Sequence, residues 1–183
     1  MTMSDIFFWG SDAFIGVILI LFVLNFIDGG SATHLGLAFL LYKAVAAVIS
    51  IPVGRFFDKH PGYLDELWGL AMASFLAGMV YISLSFASEL WQLYSAMFLL
   101  GITSVIQVLS WRTLFYNNIE HAEYSQTIGI YQAIFSFFQG VAIALGGFVG
   151  DTFGFSTAVF AGGVVIALGG LFPLSIRYLF AKR

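Results

Sequence analysis

Six uninterrupted apolar runs, near residues 6–27, 34–54, 65–87, 90–112, 125–149 and 156–179, follow one another along the 183 residues of this chain. Each meets the ~20 residues that a helix needs to cross a hydrocarbon core of ~30 Å. Inside a bilayer only helices and closed barrels satisfy every backbone N–H and C=O. Barrel strands alternate in hydropathy over short segments, whereas these runs are continuous. The sequence therefore predicts an all-α membrane protein: one domain over 1–183, built of six transmembrane helices. Its charged fraction is 9%, against ~25% in soluble domains.

That frame excludes several function classes. The chain has no cysteine, so it has no disulfide, thiolate metal site or cysteine nucleophile. His34, His60 and His121 fall in separate loops without metal-ligand spacing. No glycine-rich loop opens a helix with the Lys-Ser/Thr of a nucleotide site. Basic residues are few and scattered, which argues against nucleic acid. No enzyme activity, cofactor or metal is expected, and the lipid bilayer is the first partner. The first run has no basic leader and no small-residue cleavage site, so it reads as a retained helix. Arg55, Lys59, Arg112, Arg177, Lys182 and Arg183 fall on one side of the predicted helices, and Asp28, His34, Glu89 and Asp151 on the other. Basic loops stay inside, which places both termini in the cytoplasm and the protein in the plasma (inner) membrane.

Between the second and third runs lies Pro52-Val53-Gly54-Arg55-Phe56-Phe57-Asp58-Lys59. Its Gly-x-x-x-Asp-basic pattern resembles the loop signature of the major facilitator superfamily, Gly-x-x-x-Asp-Arg/Lys-x-Gly-Arg/Lys, found between helices two and three. Gly54, Asp58 and Lys59 match by position. The later glycine is displaced by one, to Gly62 after Pro61, and Tyr63 follows where a basic residue would stand. A related pattern, Gly147, Asp151 and Gly154, lies between runs five and six. Two such segments at equivalent places, on opposite sides of the membrane, are what a three-plus-three inverted repeat predicts. Two family motifs are incomplete. Met97 stands where the helix-four motif has arginine, so the resemblance implies no proton coupling by that route. In helix five Gly146 and Gly147 match, but Ala142 and Ile143 replace Gly-Pro.

The resemblance covers one half of a family member. It implies a secondary transporter whose two halves enclose a midplane cavity, lined by helices one, two, four and five of each half. A single half exposes its cavity face to lipid, so the expected partner is a second copy in the same orientation, and the expected mechanism is alternating access. The alternatives are a subunit of a heterodimeric transporter, or a non-transporting scaffold or receptor that keeps the fold. Lys43 is read as the only ionisable residue well inside any of the six runs, near the middle of helix two. Such a charge usually faces a cavity or a partner. Asn25, Ser50, Gln107, Gln132, Ser136 and Gln139 complete the expected substrate cavity, all on lining helices. Two copies of Lys43 facing one cavity would repel each other, and Asp28 is read as the nearest acid on helix one, too far to neutralise them. A small organic anion therefore fits as substrate. Gly54, Asp58 and Arg112 are the expected cytoplasmic latch, closing against 125–129 of the other copy.

Overall fold

The structure, a computed structural model, describes residues 2–59, 63–116 and 124–175. Its helices are α1 (Thr2–Phe26), α2 (Ala32–Lys59), α3 (Tyr63–Leu84), α4 (Leu90–Tyr116), α5 (Tyr124–Phe153), α6 (Phe155–Gly169) and the short α7 (Leu171–Ser175). Six spans are long and apolar enough to cross a membrane, the sixth running through α6 and α7 from Phe155 to Leu174. His60 and His121, and the basic residues Arg177, Lys182 and Arg183, lie outside the described residues.

Several helices are longer than their apolar runs suggest, α2 and α5 among them. α2 continues to Lys59, so the Gly54–Lys59 signature occupies its last turns and is not a loop. α5 continues to Phe153, which puts Gly147 and Asp151 on a helix as well. The sequence reading ended both helices where hydropathy falls. A helix end outside the hydrocarbon carries polar residues without breaking its backbone bonds. In the last span the break comes at Gly170, ahead of Pro173.

The turns at one end of the bundle are short and cross-tied. Gly29 has φ of +72°, a left-handed conformation that glycine adopts without a Cβ clash. Ser31 then opens α2, its hydroxyl accepting the His34 N–H at 3.2 Å, as an N-cap does. The Asp28 N–H donates to the Ser88 carbonyl at 2.7 Å, so the α1–α2 and α3–α4 turns sit at one level. Gln92 Oε1 accepts the N–H groups of Ser88 and Glu89 at 2.8 and 3.0 Å, capping α4.

The core lies between α1, α3, α4 and α6, with Ile15, Phe22, Val23, Leu84, Leu93, Met97 and Ile166 fully enclosed. α2 packs mainly on α4, and α5 mainly on α1. Among the described residues α2 buries only Leu35, Ala38 and Phe57. Lipid tails are as apolar as leucine, so close packing drives helix association here. A tight crossing is α3 on α6, where a Cβ on Gly78 would lie 2.5 Å from the Gly163 carbonyl oxygen.

That crossing yields a test. Gly78→Ala forces backbone against backbone and is expected to cost ~1–3 kcal/mol, the range for overpacking. Gly16, with nothing within 4 Å of a built Cβ, is the control: Gly16→Ala gains helix propensity, ~0.5–1 kcal/mol. Thermal unfolding in detergent reads both, and equal melting temperatures would contradict the crossing.

Candidate functional site

The charged groups of the span interior meet between α1, α2 and α3. Lys43 lies eleven residues into α2 and Asp12 fourteen residues before the end of α1, about 16 and 21 Å below the shared turn at 1.5 Å per residue. Both are therefore near mid-membrane. The Tyr81 hydroxyl of α3 donates to Asp12 Oδ1 at 2.6 Å, a length typical of a charge-assisted bond. Lys43 and Asp12 attract each other through space without forming a direct ion pair. The ammonium of Lys43 also lies 5.0 Å from the centroid of the Tyr42 ring, within cation–π range.

Two glycine crossings set these positions. A Cβ on Gly101 of α4 would lie 2.8 Å from the Tyr42 carbonyl oxygen, so Gly101 lets the Lys43 segment of α2 approach α4. A Cβ on Gly146 of α5 would lie 2.5 Å from the Phe14 carbonyl oxygen, so Gly146 fixes α1 two residues from Asp12. Asp12 is half-buried, whereas Lys43 is exposed on the uncovered side of α2.

Asp12 corrects the sequence reading. Lys43 is not the lone ionisable residue of the span interior, and Asp28 is not the nearest acid on helix one. The premise of two unpaired ammonium groups falls with it. The signal was present, as Asp12 sits inside the 6–27 run. Its bond to Tyr81, 69 positions away, has no sequence signature.

The other expected residues divide by environment. Gln132 and Ser136 are exposed on α5, the Gln132 amide donating to the Ser136 hydroxyl at 3.1 Å, and Gln139 is half-buried beside them. Ser50 turns back to the Ala46 carbonyl at 2.6 Å, and Asn25 to the Leu21 carbonyl at 2.7 Å. Gln107 is fully buried and its Oε1 accepts the Ser74 hydroxyl at 3.2 Å. It belongs to the α3–α4 seam and not to the exposed face of Lys43. Met97 is buried in the core at 2% exposure. At the other end, a Cβ built on Gly54 would lie 4.0 Å from Leu109 Cδ1 of α4, a looser contact than at the crossings above. Asp58 and Arg112 are both exposed, and no ion pair joins them. The described residues contain no group of three or more potential His, Cys, Asp or Glu metal ligands.

Six apolar spans agree with the family that this chain matches. A family model described as Major Facilitator Superfamily matches residues 3–183. The uncharacterized MFS-type transporter YitZ of Bacillus subtilis (strain 168) is 30% identical over 155 residues, which cover 83% of this chain and 89% of that protein. No solved structure matches. This six-span chain belongs to the Major Facilitator Superfamily, a family of membrane transporters and not of enzymes.

Proposed function

We propose that the protein is a secondary transporter of a small organic anion, working as a same-orientation pair of six-helix units by alternating access. The observation that carries this reading is Lys43, an ammonium near mid-membrane on a helix face that its own bundle leaves uncovered. A charge held against hydrocarbon costs at least ~2.5 kcal/mol. A second copy facing α2 and α5 encloses Lys43, Gln132 and Ser136 in a polar cavity instead. The packing supports an inverted repeat. Exchanging α1 with α4, α2 with α5 and α3 with α6 turns the α1–α5 contact into α4–α2 and α1–α6 into α4–α3, and leaves α3–α6 unchanged. In this arrangement the Arg55/Lys59 end faces the cytoplasm of the plasma membrane. Gly54, open within its own chain, meets the 125–129 segment of the other copy, and Asp58 sits at the start of the partner's α5. Arg112, exposed at the same end, belongs to this latch.

Asp12 sets the charge balance of the cavity. While it is ionised it offsets Lys43, and an anion gains little by entering. Once it is protonated, Lys43 is left to hold an anionic group. Substrate and proton then enter together, although Met97 replaces the helix-four arginine.

The pairing is tested with Lys59→Cys, which supplies the only thiol in a cysteine-free chain. In membranes it is expected to cross-link into a dimer and to resist an impermeant thiol reagent added from outside. Labelling of a sizeable fraction of molecules from outside contradicts the common orientation.

The site is tested by uptake of a panel of small organic anions into proteoliposomes. Lys43→Gln is expected to weaken affinity about tenfold or more, because a hydrogen bond to a charged group contributes ~1.5–3 kcal/mol. Lys43→Arg keeps most of the affinity, and Asp12→Asn removes its pH dependence. Normal transport by Lys43→Gln would make the lysine structural and sink the reading.

A further inference from the structure

The seam between α3 and α4 holds polar groups that the cavity does not use. Among the described residues, four buried side-chain atoms there have no hydrogen-bond partner: Glu66 Oε2, Gln107 Nε2, Ser110 Oγ and Trp111 Nε1. Glu66 is 4% exposed, Gln107 and Ser110 are at 0%. Leaving a buried polar atom unpaired costs ~1–3 kcal/mol. Native proteins avoid that cost with partners or ordered water. Four such atoms in one seam call for a common occupant. A donor amide, a donor indole, a hydroxyl and an acceptor carboxyl are together matched by water, which both donates and accepts.

The four residues follow one another along the seam. Gln107, Ser110 and Trp111 fall within about one turn of α4. Gly69 lies one turn past Glu66 on α3, and a Cβ there would be 2.5 Å from Ser110 Oγ, so the hydroxyl rests against the α3 backbone. On α3, Glu66, Ser74 and Tyr81 lie within ~80° of one another at ~100° per residue, which makes a single stripe. Helical side chains lean toward the N-terminus of their own helix, so the Tyr81 phenol extends toward Ser74. The stripe runs from Glu66 in the first turn of α3 to Tyr81, three residues before its end, and the Tyr81 hydroxyl joins it to Asp12. Gln107 is seventeen residues into α4, about 25 Å below the turn that the Asp28–Ser88 bond holds level with α1, while Asp12 is about 21 Å below it. The lower end begins at Glu66 in the first turn of α3, beside exposed Asp65.

We propose that the α3–α4 seam holds a chain of bound water and is the route by which a proton travels between the Arg55/Lys59 end and Asp12. This rests on the transport reading above and names how that site is loaded. Hydronium at the Arg55/Lys59 end gives up a proton, water molecules beside Glu66, Ser110 and Gln107 relay it, and the Asp12 carboxylate becomes a carboxylic acid. The groups around Asp12 are Tyr81 from α3 and Lys43 and Tyr42 from α2. Of the other helices packed on α1, α6 and α7 have no titratable residue, and α5 has only Tyr124, Tyr131 and Asp151, near its ends. The charged neighbour of Glu66 is Asp65 of its own helix, and α6 and α7, which also pack on α3, bring no charge.

The experiment uses the full chain in lipid nanodiscs and has two readouts. In hydroxyl-radical footprinting generated by X-rays, radicals form from water at the spot. Leu114, fully buried in the seam, is expected to be modified well above Leu93, equally buried in the main core. Equal protection of the two leucines means a dry seam and overturns the proposal. In pH-jump infrared spectroscopy the carboxyl band of Asp12, identified by its loss in Asp12→Asn, reports proton arrival. Plugging the seam with Gln107→Leu plus Ser110→Ala is expected to slow that band about tenfold or more, the scale on which a positioned relay acts. An unchanged rate overturns the route. If the double variant does not fold, Glu66→Gln, which keeps the shape, decides the same question with the same expectation. Solute uptake by the wild type is read separately: its absence contradicts transport and leaves the proton result standing.

Discussion

The hydrogen bond from Tyr81 to Asp12 spans from α3 to α1 at a depth where lipid offers a carboxyl group nothing. Removing a polar group from water without a partner costs several kcal/mol, and a bare charge far more. Asp12 is tolerated because Tyr81 donates to it at 2.6 Å and Lys43 stands close enough to attract it. The helices that supply those partners must hold their positions. Gly101 against the α2 backbone and Gly146 against the α1 backbone do so by close packing. A methyl group at either glycine would push a charged residue away from its partners.

The bundle is also uneven. α1, α3, α4 and α6 bury a continuous core, while α2 and α5 present mostly uncovered faces. An apolar face needs no explanation in lipid, but Lys43, Gln132 and Ser136 on such faces do. In the proposed pair this uncovered surface is one wall of a cavity, and the second copy supplies the other. The α3–α4 seam is a different kind of polar feature, since it is buried within one unit. On the proposed route, a proton and a solute have separate ways to the same charge cluster.

Much of the architecture was legible in the chain. Apolar runs of spanning length allow only helices, because a helix satisfies its backbone bonds within itself and a loop in lipid does not. The same logic picked out Lys43, a charge deep in an apolar run. The reading went astray where polarity was taken as an end. Lys59 and Phe153 are helical residues, because backbone hydrogen bonding does not stop where hydropathy falls. Gln107 was read as cavity-lining from its helix number, but Ser74 holds it in the α3–α4 seam.

The sequence by itself determined the number of spans, the absence of thiol chemistry and the presence of charge in the apolar interior, since each depends on local composition. Tertiary structure alone decided which charges meet. Asp12, Lys43 and Tyr81 are on three helices, and their proximity depends on crossings set by glycines elsewhere in the chain. It also decided which polar atoms of the described residues are left without partners, because Ser110 looks ordinary until Gly69 of α3 closes over it. Pairing in a membrane is a property of helix packing, and helix packing is not written in any one run.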